Sequence, residues 1–170
     1  MNFKKPHHTA EVNATNIERD DRNGIYKIKP KGLNIVWGND PRYWKVTPDK
    51  AELIQVSWLE VSGVVKGLQK GKTYSVEFEV NVKADGFGWD GTQVLVMAKA
   101  GKSGKYQFKE AKLSSGEGNV TVPRDSLQVR FPPTVDSEAD LNLYFGLYEV
   151  WSGKWKGGLE IIRAHVKCIA

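Results

Sequence analysis

The chain has 170 residues, 40% of them hydrophobic and 26% charged. That is enough for one domain with a core, and it excludes a disordered chain. The formal net charge of +5 is a mild excess, short of the dense basic stripe of a dedicated nucleic-acid binder. One cysteine, Cys168, excludes an internal disulfide framework, and no stretch has the apolar length of a membrane span.

Residues 1–24 are polar and charged, with adjacent Asp20 and Asp21 and a turn-like Asn23-Gly24. They read as an irregular arm, ordered only where it docks. Its opening, MNFKKPHHTAEV, contains no apolar signal-peptide core, so no secretory signal is expected. His7 and His8 have no companion ligands nearby in sequence, so no metal is expected there.

Residues 25–170 read as one domain. Ile25–Lys29 suggests an edge strand, and Leu33–Trp37 a second. Thr47-Pro48 has the form of a helix N-cap followed by proline, predicting one helical turn towards Glu52. Ile54, Val56 and Trp58 alternate with Gln55 and Ser57, which predicts a strand with Trp58 in the core. Tyr74, Val76, Phe78, Val80 and Val82 follow at strict period two, the clearest strand in the chain. Glu77 and Glu79 share its wet face, so they cannot flank a glycosidic bond as a hydrolase pair would.

Gly86, Gly88 and Gly91 match GxGxxG, but the next segment, Thr92–Lys99, reads as a strand rather than the required helix. The loop is therefore a hairpin loop, and Trp89 at its tip is a candidate ligand contact. Short strands are expected at Tyr106–Lys112, Asn119–Val122 and Leu127–Phe131. Another runs from Leu141 to Tyr148, and a last one spans Leu159–Ile169. Eight or nine short strands, with no long helix and no repeat, predict an all-β, single-domain sandwich of jelly-roll type.

No reactive constellation accompanies these strands. His7 and His8 lie on the arm, His165 lies in the last strand, and no GxSxG motif is present. No catalytic residue and no cofactor are expected. Aromatic and planar polar groups are abundant instead: the six tryptophans exceed what a core of this size needs. Two of the six, together with a phenol, a guanidinium, a carboxylate and an amide, fall in Leu33–Trp44, LNIVWGNDPRYW, where a strand runs into a Gly-Asn-Asp-Pro bend. Trp37, Asn39, Asp40, Arg42 and Trp44 are the candidate binding residues there, although Trp37 is also in phase with Leu33 and Ile35 of the core. Trp151 and Trp155, flanking a Ser-Gly turn with Lys154 and Lys156, are further candidates. A pyranose suits such groups: its C–H face packs on an indole, and its hydroxyls bond to carboxylate, amide and guanidinium.

LNIVWGNDPRYW, AELIQVSWLEVSG at 51–63 and EVWSGKWKGGLEI at 149–161 together resemble the phloem protein 2 family of plant lectins, the Nictaba-like and cucurbit phloem lectin type. The resemblance spans roughly Ile25 to Ile169. It implies a β-sandwich that binds N-acetylglucosamine oligomers and the chitobiose core of N-glycans, without catalysis. It implies a cytoplasmic or phloem-sap location. It assigns sugar binding to Trp37 and Trp44 and to Glu149. A second acidic position of the family falls on Asn142, where an amide replaces the charge. Homodimers and disulfide crosslinking through Cys168 are further implications. The alternative is a phloem-mobile RNA-binding protein that uses the lysines at 99, 102, 105, 109 and 112 with neighbouring aromatics.

Overall fold

Strict alternation in Tyr74–Val82 produces the longest strand of the fold. In the computed structural model, which describes residues 5–170, this strand extends from Thr73 to Phe87. In chain order the strands are β1 (Ile17–Asp20), β2 (Ile25–Ile28), β3 (Asn34–Ile35), β4 (Trp44–Val46), β5 (Ala51–Leu53), β6 (Leu59–Val65), β7 (Thr73–Phe87), β8 (Leu95–Ala100), β9 (Gln107–Glu110), β10 (Gly118–Arg130), β11 (Leu143–Glu149) and β12 (Gly157–Cys168). Two 3-10 turns, at Pro30–Gly32 and Glu138–Leu141, are the helical elements among the described residues.

All pairings are antiparallel, and they form two sheets. One has the order β3-β6-β11-β8-β9. In the other, β12 is central: β7 lies along one edge, with β10 beyond it. The opposite edge of β12 is shared, β5 pairing its first half and β2 its second. The alternating residues of both sheets meet in one apolar core, as in a β-sandwich. Phe78 of β7 and Phe145 of β11 pack across the gap with ring centroids 5.8 Å apart. Each such fully buried side chain contributes about 1.5–3 kcal/mol relative to exposure. On the outer face, Glu79 pairs with Arg163 and His165 of β12, at 3.2 and 3.3 Å, so this glutamate belongs to a solvated charge ladder.

Several segments depart from the sequence expectation. The arm is less irregular than its composition suggests. Its His8 exchanges two backbone hydrogen bonds with Ile35, both 2.9 Å, and its Ile17–Asp20 segment is β1, paired with β2. The helical turn expected at Thr47–Glu52 is a hairpin turn. Thr47 N donates to Lys50 O, and Val46 pairs with Ala51. The Ile54–Trp58 strand does not form. The chain leaves β5 after Leu53, and Val56 pairs reciprocally with Lys156. That break resets the phase: Val56 is buried, while Ile54 and Trp58 are 43% and 46% exposed. Period-two reasoning holds only within one continuous strand.

Candidate functional site

The bend between β3 and β4 is a series of tight turns. Gly38 N donates to Ile35 O, Asp40 N to Trp37 O, and both Tyr43 N and Trp44 N to Asp40 O. Trp37 adopts φ 66°, a left-handed backbone conformation uncommon outside glycine, and costs on the order of 1–3 kcal/mol. A hydrogen bond from Trp37 N to His7 Nδ1, 2.9 Å, helps hold it. The flipped backbone takes the indole out of the phase of Leu33 and Ile35. Those two are fully buried, whereas Trp37 is 37% exposed. Gly38 is required by close approach, since a Cβ there would lie 2.7 Å from His8 Cβ and 2.9 Å from Ile35 O.

The polar residues of the bend divide by partner. Asn39 Nδ2 donates to Lys5 O and His7 O, so it anchors the arm. Asp40 accepts two bonds from the Arg42 guanidinium, 3.0 Å from Nε and 2.7 Å from Nη2. Those bonds hold the Asp40 carboxyl below the usual aspartate range. Arg42 also lies over the Tyr43 ring, 5.1 Å from its centroid. Trp44, expected at a ligand, is instead a core residue of β4, 2% exposed and paired with Leu53. Its Nε1 is the one buried side-chain nitrogen or oxygen without a partner among the described residues.

The second wall comes from the far end of the chain. β11 ends at Glu149, β12 starts at Gly157, and the turn between them carries Trp151 and Trp155, 59% and 50% exposed. Beneath it, the side chains of Glu149 and Lys156 are 1% and 0% exposed and form an ion pair of 3.2 Å. The Glu149 carboxylate also accepts from Trp151 N at 3.1 Å, Ser152 N at 3.4 Å, and Ser152 Oγ. Burial pushes the Glu149 carboxyl up, but Ser152 and the Lys156 charge outweigh it and hold it below the ordinary glutamate value. Desolvation lowers the Lys156 ammonium, and the Glu149 charge opposes that only in part. Trp89, expected exposed at its loop tip, is fully buried and donates Nε1–H to Gly157 O at 2.9 Å. It supports the turn from behind. At Gly88 a Cβ would lie 2.3 Å from Trp155 O, so only glycine lets the two loops meet.

The two walls join in an aromatic row. The His7 ring meets Trp37 edge-on at 5.0 Å, Trp37 meets Tyr43 at 5.8 Å, and Tyr43 meets Trp155 at 6.3 Å, tilted by 33°. Trp151 lies to the side. Together with Glu149, Ser152, Lys154, Gln93 and Leu95 it lines an open cavity of about 510 Å³. Asn142 is not part of either wall. It precedes β11, about 23 Å along the strand from Glu149, and its Oδ1 accepts from Gly67 N. Of the candidates named from sequence, the structure therefore brings together Trp37, Arg42 with Asp40, and Trp155. Trp44, Trp89, Asn39 and Glu149 lie behind them as support.

Sequence reasoning missed Tyr43, His7 and Lys156. Tyr43 had a signal: adjacent residues where a strand begins point to opposite sides, so burying Trp44 leaves Tyr43 on the other side, where it is only partly buried. The assembled groups are flat rings with a guanidinium and a carboxylate at their edge. Among the described residues no three His, Cys, Asp or Glu side chains lie close enough to hold a metal ion.

The chain matches the family described as phloem protein 2 over residues 23–167. It is 39% identical to protein phloem protein 2-like A9 of Arabidopsis thaliana, over 96% of this chain and 97% of that protein. It is 29% identical to phloem protein 2-like A1 of the same plant, over 84% of this chain and 61% of that one. A lectin of Luffa acutangula is 29% identical over 43% of this chain and 40% of its own length. With a match that runs from β2 to β12 and a relative aligned along almost its whole length, the chain belongs to the phloem protein 2 family.

Proposed function

We propose that the chain is a non-catalytic phloem lectin that binds N-acetylglucosamine oligomers, both as chito-oligosaccharides and as the chitobiose core of N-glycans. The observation that carries this reading is the row Trp37–Tyr43–Trp155, with the Arg42–Asp40 pair beside it. The exposed Trp37 and Trp155 indoles, bridged by the partly buried Tyr43 ring, suit the C–H faces of pyranoses, and the flanking groups match hydroxyl and acetamido edges. Kinship with the Luffa acutangula lectin supports the same reading, and family membership supports action in phloem sap. Binding at such an open surface corresponds to about 5–7 kcal/mol, a Kd of roughly 10⁻⁴–10⁻⁵ M per site. Useful avidity then comes from a homodimer or from multivalent glycans.

Titration calorimetry with the N-acetylglucosamine trimer tests the proposal. Saturable heat in the stated range is expected, and no heat at millimolar trimer rejects it. One observation favours a second reading, RNA binding. The Lys99 ammonium lies 4.9 and 5.2 Å over the Tyr106 and Tyr144 rings, beside Lys102 and Lys105. Phosphate binding falls steeply with salt, whereas binding of a neutral sugar does not, so a salt series on both ligands separates the two.

A further inference from the structure

Lys156 is fully buried, an unusual place for a lysine. Its ammonium has three donors, and three acceptors surround it: Ser57 O at 2.7 Å, Lys154 O at 2.8 Å and Glu149 Oε1 at 3.2 Å. Each acceptor stands next to an exposed indole. Ser57 precedes Trp58 and Lys154 precedes Trp155 in the chain, and the Glu149 carboxylate takes the backbone N–H of Trp151. Trp58, Trp151 and Trp155 are 46%, 59% and 50% exposed. We propose that Lys156 is a positioning residue that sets these three indoles as one wall of the binding surface, that Trp58 belongs to that surface, and that Glu149 acts through this hub without touching the ligand. The sugar-binding role of the wall rests on the carbohydrate reading above.

Stability does not account for the hub. A buried ion pair is often no better than well-packed apolar residues of similar volume, while removing one partner is strongly destabilising. What the pair adds is a fixed geometry among three separate backbone segments: the approach to β6, the end of β11 and the turn into β12. The backbone of Lys156 reinforces it, donating to Val56 O at 3.0 Å and accepting from Val56 N at 2.9 Å. Glu149, at 1% exposure, has its carboxylate committed to Lys156, Trp151 N and the Ser152 N and Oγ, which leaves a ligand little to reach. Trp58 is oriented from outside by its own bond, Nε1 to Glu60 Oε1 at 3.1 Å.

The test uses the full chain with Lys156→Met, Glu149→Gln and the double variant, together with Trp58→Ala and Ser152→Ala. Three measurements are made: thermal midpoint, acrylamide quenching of tryptophan fluorescence without sugar, and calorimetry with the N-acetylglucosamine trimer well below each midpoint. Lys156→Met is expected to raise the quenching constant and to raise Kd about tenfold while the far-UV spectrum stays β-rich, a loss like that of an interface anchor. The double variant should lose no more than the worse single, since the two residues act as one unit. Trp58→Ala should raise Kd about fivefold with an unchanged midpoint. Ser152→Ala, at an exposed position, removes the hydroxyl donor to Glu149 and should also raise Kd, so the test survives a Lys156→Met variant that does not fold. Wild-type quenching and wild-type Kd, with only the midpoint lowered, would overturn the positioning role. A wild-type protein that binds no trimer removes the carbohydrate reading, while the quenching measurement still decides whether Lys156 places the indoles.

Discussion

Replacing Trp44 and Trp155 by alanine, one at a time, should separate the core position of Trp44 from the ligand role proposed for Trp155. Trp44 is 2% exposed, so truncation removes an aromatic side chain that buries about 150–250 Å². At about 25 cal/mol per Å² the transfer loss is about 4–6 kcal/mol, and core Trp→Ala changes typically cost about 3–5 kcal/mol. The buried, unpartnered Nε1–H goes with the ring. Relief of that group returns about 1–3 kcal/mol, for a net loss near 2–4 kcal/mol. In a domain of this size that lowers Tm by about 5–15 °C. Trp155 is half exposed, so its truncation should change stability by no more than about 0.5 kcal/mol. It should instead weaken trimer binding about tenfold, as for an aromatic anchor. Thermal denaturation by circular dichroism, paired with calorimetry at 15–20 °C below the lower midpoint, reads both quantities. If Trp44→Ala kept the wild-type Tm and abolished binding while Trp155→Ala did neither, the assignment of one indole to the core and the other to the ligand would be refuted.

Acid should destabilise the fold through Glu149 and Glu160. Burial raises the Glu160 carboxyl, but the Lys50 and Asn81 hydrogen bonds outweigh it, so both carboxyls sit below the ordinary value of 4.5. Depressed carboxyls stabilise the fold fully above their unfolded value and lose that contribution as pH falls through the folded one. Tm should therefore hold level down to about pH 5 and drop below it, and Glu149→Gln should flatten part of the drop; a Tm that rises on acidification contradicts the ion-pair account. Gly38→Ala places a Cβ 2.7 Å from His8 Cβ. It should detach the arm from the bend and, by uncovering the indole that His7 packs against, red-shift Trp37 emission, and unchanged fluorescence counts against the tight approach. Cys168 is half-buried at the end of β12. Mild oxidation should give a slow, partial dimer band on non-reducing gels, absent in Cys168→Ser; a band that persists in the variant rules out this cysteine as the link.

Much of this fold is written in local alternation, and where alternation runs unbroken the strands emerge where expected. β7 is an example, and β11 another over Leu143–Tyr148, although its expected first residue, Leu141, lies in the preceding 3-10 turn. Reading by period fails where the chain breaks phase. Trp58 carries the right spacing from Ile54 and Val56, yet the break after Leu53 turns it outward. Trp37 carries the spacing of Leu33 and Ile35, yet a left-handed backbone at that residue points it elsewhere. Both are decided by long-range contacts, with Lys156 and with His7, that no local pattern records. Trp89 shows the opposite case: a loop tip between glycines, which looks exposed, is covered because another loop folds over it. The bend Asn39–Trp44 was visible as a concentration of planar groups. Which of its members face outward was not, because Tyr43 and Trp44 are chemically alike, and only pairing with Leu53 across the β4–β5 hairpin draws Trp44 into the core. A buried lysine is the least legible of all, since its composition signal is that of a surface residue.

The docked arm has a practical consequence for labelling. His7 contributes a ring to the aromatic row and a nitrogen to the Trp37 backbone. A fluorophore attached at Lys5, whose carbonyl accepts from Asn39 Nδ2, is therefore held near the proposed ligand surface, where it reports on occupancy and also competes for the same rings. The other terminus offers the reverse. β12 begins beneath Trp155 and carries the chain away to Cys168, about 36 Å at strand rise. A surface-immobilised protein held by that end would present its rings to solution, and comparing the two attachments for binding of soluble N-acetylglucosamine trimer measures how much the arm shapes recognition.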